Sequence, residues 1–108
     1  MERNKEVRVG LSKPYTTYVG ASKEILKDTN SVELHALGDA TANAIRAAEM
    51  LCSLGYATLE KFDTLSVSEP DRSGVSRNRT KVIIKLSKAI GFDKAYNDFK
   101  SSRPTKQD

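Results

Sequence analysis

Hydrophobic and polar positions change period along the chain, and each change marks a new element. Val7, Val9 and Leu11 alternate with non-hydrophobic neighbours, the period of a half-buried strand. Pro14 then suits the first turn of a helix, where the N–H it lacks would have had no partner anyway. Tyr15, Tyr18, Val19, Ser22, Ile25 and Leu26 follow at helical spacing, which predicts a helix to about Asp28 with Lys23, Glu24 and Lys27 largely on its other side. Val32, Leu34 and Ala36 alternate again as a second strand through Leu37. After Gly38, Asp39 is placed to cap a second helix over about Ala40 to Leu54. Ala40, Ala42, Ala44, Ala47 and Ala48 give that helix a small-residue surface that a sheet or another helix can approach closely. Gly55 stands where a left-handed C-terminal cap belongs.

Tyr56 through Val67 reads as a third strand, its alternation interrupted by Lys61 and Asp63. Thr80 to Ser87 is a clearer fourth, with Val82, Ile84 and Leu86 pointing one way and Lys81, Lys85 and Ser87 the other. Between them Glu69 to Arg79 is polar and longer than an ordinary hairpin loop, a basic arm. Phe92, Ala95, Tyr96 and Phe99 predict a short C-terminal helix, followed by a polar tail over residues 100–108 that is expected to be mobile. The order β-α-β-α-β-β predicts an α/β chain of the α+β two-layer kind. One domain over residues 1–99 would hold a four-stranded mixed sheet, two helices on one face and a long basic hairpin.

A chain of 108 residues has room for one core. No run approaches the roughly 20 apolar residues that span a bilayer, so no membrane partner is expected. The charged start, Met1 to Glu6, leads into an apolar segment too short for a signal-peptide core, so secretion is not expected either. Cys52 stands alone, which excludes an internal disulfide and fits a reducing compartment; with the single His35 it cannot build a zinc set of Cys and His. His35 reads as a strand side chain and Cys52 as helix packing. No Gly-rich phosphate loop, paired histidines or nucleophile-base motif is present, so no catalytic residue, metal or cofactor is expected.

Charge changes the picture. The net +4 divides into +2 over residues 1–30, −4 over 31–69 and +6 over 70–108. Between Arg72 and Lys88 lie six cations and no carboxylate, a local field that concentrates a polyanion.

Three blocks together resemble the Alba superfamily of small nucleic-acid-binding proteins, in its eukaryotic branch. Val9 to Val19 is similar to that family's first strand, Lys-Pro turn and aromatic helix start. Val32 to Gly38 resembles its second strand leading into an alanine-rich helix. Ser66 to Lys88, with Arg72, Gly74, Arg77 and Arg79 before Val82-Ile83-Ile84-Lys85-Leu86, looks like its basic hairpin, followed by a Phe92-Asp93 echo. The blocks span most of residues 7–99. The resemblance implies a dimer, of identical subunits or with a paralogue, whose body sits on double-stranded DNA or RNA while two hairpin arms reach along the backbone.

The residues that resemblance singles out suit the role chemically. Ser12 and Lys13 occupy a strand-to-helix turn, where a cation and free helix N–H groups can meet one phosphate. Arg72, Arg77 and Arg79 present forked donors matched to phosphate oxygens, Lys81 continues the row, and Arg46 lies on the second helix. Ser12 replaces the first of two adjacent lysines common in the family, and Asp39 stands where a basic residue is common, so affinity for bare duplex should be modest. Many eukaryotic members carry an Arg-Gly-Gly-rich extension that this sequence lacks, so its contribution is expected to be absent or supplied by a partner.

The expected function is DNA and RNA binding with little sequence specificity, in chromatin packaging or RNA and translation control, in nucleus and cytoplasm. A protein subunit of a ribonuclease P or MRP-like ribonucleoprotein is the nearest alternative. A metal-dependent nuclease using Asp39, Glu49 or Asp71 is a more distant one.

Overall fold

The computed structural model describes residues 5–102. Its elements are β1 (Glu6–Val9), α1 (Tyr15–Asp28), β2 (Ser31–Leu37), a 3-10 turn (Gly38–Ala40), α2 (Thr41–Ser53), β3 (Ala57–Pro70), β4 (Ser76–Lys88) and α3 (Phe92–Ser102). The sheet order is β1-β2-β4-β3, with β1 parallel to β2 and the other two pairings antiparallel. The fold is therefore the expected α+β plan with a mixed four-stranded sheet and a real third helix.

The strand alternation decides which face is covered. Val7, Val9, Val32, Leu34, Ala36, Val82, Ile84 and Leu86 are buried, and α1 and α2 lie over them with Ile25, Leu26, Ala44, Ala47 and Leu51. Each fully buried Leu or Ile here contributes on the order of 1.5–3 kcal/mol of transfer free energy. Ala44 and Ala47 are completely buried, so the small-residue surface does let α2 approach closely, although Ala42 points to solvent. Gly55 takes φ +87 at the end of α2, and the Tyr56 N–H returns to the Leu51 carbonyl, closing the left-handed cap.

Five expectations are corrected or completed. Asp39 does not cap α2: the 3-10 turn intervenes, Ala40 holds the cap position and no side chain bonds the free N–H groups. Pro14 stands at the N-cap of α1 and the helix starts one residue later. The interrupted alternation of β3 comes from a bulge between Leu59 and Lys61, which moves the core-facing positions from odd to even numbers. Most important, the polar stretch before Thr80 is largely strand. β3 runs to Pro70 and β4 begins at Ser76, so only Asp71–Val75 turns. Polar side chains are no obstacle to pairing when both faces of a two-stranded ribbon meet water. At the C-terminus α3 continues to Ser102, into the stretch expected as a tail, and residues 103–108 lie outside the described residues.

α3 is fixed by aromatic contacts at the far end from the arm. Phe92 meets Tyr56 edge-on at 5.7 Å and stacks with Tyr96 at 5.6 Å. Among the described residues, no helix is long and apolar enough to cross a membrane.

Candidate nucleic-acid interface

Topology gathers one rim. Because β1 and β2 are parallel, both are followed by their helices at the same end of the sheet. β4 passes that end as well: Leu37, the last residue of β2, pairs with Lys81, and beyond this pair β4 continues with only β3 beside it. The segment 66–80 is thus a free two-stranded ribbon, about 16 Å of strand at roughly 3.3 Å per residue, projecting next to the starts of α1 and α2. Neither helix has a side-chain cap or an acidic residue in its first turn. Their N–H groups present partial positive charge to this rim.

Ser12 and Lys13 lie in the exposed turn before α1, and Lys13 makes no hydrogen bond or ion pair among the described residues. The turn itself is held firmly. The Gly10 N–H donates to Tyr18 Oη at 3.1 Å, Asn43 Nδ2 of α2 donates to the Gly10 carbonyl at 3.0 Å, and the Thr17 N–H returns to the Pro14 carbonyl at 3.0 Å. Arg46, one turn beyond Asn43 on α2, lays its guanidinium over the Tyr15 ring, 4.7 Å from the centroid.

The arm cations are not equivalent. Side-chain alternation puts Arg77, Arg79, Lys81 and Lys85 on the sheet face away from the helices. Arg77 Nε donates to Asp71 Oδ2 at 2.8 Å. The other Asp71 oxygen accepts from the Ser73 N–H at 2.9 Å, the Ser73 hydroxyl at 2.6 Å and the Val75 N–H at 3.0 Å, so one carboxylate organises the whole tip. Arg79 sits at the root, 3.8 Å from Glu69, with its guanidinium close against Gly38. The Arg72 side chain, at the tip, makes no ion pair or hydrogen bond among the described residues, and neither does that of Lys81. The finger does not fold back on the body, but two of its arginines are already matched to carboxylates within it.

The Arg77 guanidinium, seconded by Ser73 and Val75, holds the Asp71 carboxyl at about 2, below its ordinary 3.8. A lowered folded value means that this ordering is complete above the ordinary value and lost as pH falls through about 2. The Ser73 and Val75 amide resonances should therefore stay fixed from pH 7 to about 4, then shift with a midpoint near 2. In Arg77→Gln that midpoint should move back toward 3.8; a midpoint that stays put would mean that Arg77 is not the group that matters.

Sequence reasoning missed the partners: Gly38, Glu69, Asp71 and Asn43. The Asp71-Arg72-Ser73-Gly74 run does carry a turn signal, an aspartate two residues before a hydrogen-bonding serine. Nothing local could reveal that Arg79 would meet Gly38. The carboxylates Asp39, Glu49 and Asp71 occupy the 3-10 turn, mid-α2 and the arm tip, and no cluster of three or more potential metal ligands occurs among the described residues. His35 lies half-buried on the outer sheet face between Glu33, at 2.9 Å, and Glu6, at 3.5 Å.

A second surface lies on the helix side. Leu59, Phe62 and Ile45 are 54, 47 and 45% exposed, and together with Ala48 and Cys52 they line an apolar groove between α2 and β3. Partial burial raises the Cys52 thiol above its ordinary value, which favours its protonated form.

Residues 5–69 match the family model described as Alba. The chain belongs to the Alba family. It is 35% identical over 82 residues to an uncharacterized protein of Arabidopsis thaliana, a match covering 75% of this chain and 63% of that protein's length. Its structure is similar to that of ALBA1 from Trypanosoma brucei, with TM-score 0.78 and 29% identity, covering 95% of this chain and 85% of the other. Alba from Thermoplasma volcanium shares the fold at TM-score 0.70 and 24% identity, covering 77 and 99%. Alba proteins generally bind nucleic acid, are typically not enzymes and are often dimeric.

Proposed function

We propose that this Alba protein binds DNA and RNA without catalysis and with little sequence preference, gripping phosphates through Lys13 and the arm. The observation that carries this reading is the rim. An extended cationic ribbon and two uncapped helix starts converge at one end of the sheet, and Lys13 and Arg72, unpaired among the described residues, lie at its two extremes. Phosphate contacts of this kind fix position without reading bases. The apolar groove at Ile45, Leu59 and Phe62 seats a second copy or a paralogue, which would set two arms on one duplex. Such a protein would package DNA or mask RNA, in nucleus and cytoplasm.

The arm geometry refines which residues supply binding energy. Arg72 and Lys13 meet phosphate directly. Arg77 must exchange Asp71 for phosphate, Arg79 sets the angle of the arm at its root, Lys81 extends the basic row to the body, and Arg46 and Ser12 flank Lys13. Binding driven by counterion release falls linearly in log affinity with log salt, by about 0.9 per phosphate contacted. Arg72→Gln and Lys13→Gln should each flatten that slope by about one per arm engaged, measured by fluorescence anisotropy on a 20-base-pair duplex. Arg77→Gln should flatten it less, because Arg77 is already paired with Asp71 and its charge is only partly available to phosphate. A slope near zero for the unsubstituted protein would refute the reading.

A further inference from the structure

We infer that the turn from Gly10 to Tyr15 is a nucleotide-sized subsite for single-stranded nucleic acid, with an unpaired base stacking on the Tyr15–Arg46 pair. The inference rests on the nucleic-acid reading above and adds a ligand class to it: an exposed base, not only a backbone.

The starting point is the state of Arg46. Its guanidinium is exposed, lies 4.7 Å from the centre of the Tyr15 ring and meets no carboxylate among the described residues. An exposed guanidinium held over a ring is planar and cationic and keeps surface free on which any base can stack, because every base has a π-face. The arginine and the tyrosine together offer a platform.

The turn is held in place before any ligand arrives. Asn43 and Arg46, three residues apart on one side of α2, hold its two ends: Asn43 bonds the Gly10 carbonyl and Arg46 covers Tyr15. Tyr18 Oη fixes the Gly10 N–H from beneath. Between these anchors Leu11, Ser12, Lys13 and Pro14 are all exposed, Leu11 to 63%. Lys13 thus stands two residues from the Tyr15 ring on an ordered backbone, placed to hold the phosphate of the nucleotide whose base is stacked. Ordering paid before binding does not subtract from affinity. A duplex keeps its bases stacked inside and cannot use the platform, so the two forms of nucleic acid separate the contributions.

The test uses the full chain, a 12-nucleotide RNA with 2-aminopurine near its centre, and the same strand annealed to its complement. Arg46→Lys keeps the charge and removes the plane; Tyr15→Leu keeps apolar packing and removes the ring. Each should weaken single-strand binding about tenfold and relieve the quenching of 2-aminopurine that the unsubstituted protein causes, and Tyr15→Leu should leave duplex affinity within about twofold. Equal losses on both ligands in Tyr15→Leu, or no loss of single-strand affinity in either variant, would overturn the subsite while leaving backbone binding intact. Capture of duplex without capture of the single strand would overturn it too. Failure of the unsubstituted protein to hold either ligand at low salt would remove the nucleic-acid reading itself.

Discussion

Aspartate at both Ile45 and Phe62 should abolish the proposed pairing of two copies through the apolar groove and leave the chain monomeric in sedimentation. The two side chains are 45 and 47% exposed in the single chain and face an apolar groove that also includes Leu59, 54% exposed. Apolar side chains clustered this way on a small protein mark an interface. Substitutions at exposed positions cost a folded monomer little, so circular dichroism should be unchanged, while two buried carboxylates facing their symmetry mates would be desolvated without partners. Affinity for a long duplex should fall by about a hundredfold or more, because two linked arms gain that much from effective concentration alone. A doubly substituted protein that still sediments as a dimer would place the interface elsewhere. One that is monomeric with full affinity would show that a single arm suffices.

The layout of the domain was legible because its signals are local. Alternation at Val32-Leu34-Ala36 and Val82-Ile84-Leu86 needs no knowledge of the partner strand, and each of those residues is buried in the sheet. The order of elements follows from the same changes of period, and the family blocks agree with it. What could not be read was whatever depends on two distant segments meeting. The β3 bulge exists because β3 must keep Ala57 and Leu59 as well as Phe62 and Thr64 on the helix side of a single β4. The hairpin arm is legible, but the extent of its strands is not, because their side chains are nearly all exposed and burial is what period 2 reports. In the same way a count of cations finds Arg72, Arg77 and Arg79 equal. Geometry separates them, giving Arg77 to Asp71 and Arg79 to Glu69 and Gly38. Net charge in a window is an upper bound on the charge available to a ligand.

Gly38→Ala should lower the thermal midpoint by about 5–10 °C and free the arm, and the two effects have separate causes. Gly38 has φ +60, a left-handed conformation that costs an alanine about 1–2 kcal/mol, which in a domain of this size is several degrees. A Cβ there would also collide with the Arg79 guanidinium. That group is the tip of a flexible side chain, so it swings away at small energetic cost; what is lost is its hold on the arm root. The φ penalty does not involve Arg79, so Gly38→Ala should cost the same stability in an Arg79→Ala background. Arm motion should behave oppositely. Nitrogen-15 relaxation at Ser73 and Gly74 should report greater nanosecond mobility in Gly38→Ala, a similar increase in Arg79→Ala, and no further increase in the double variant. Equal and additive increases would mean that Gly38 and Arg79 act on the arm independently. If both single variants left the tip as rigid as before, the ribbon would owe its direction to the β3–β4 pairing alone, and Arg79 would revert to being one more cation offered to phosphate.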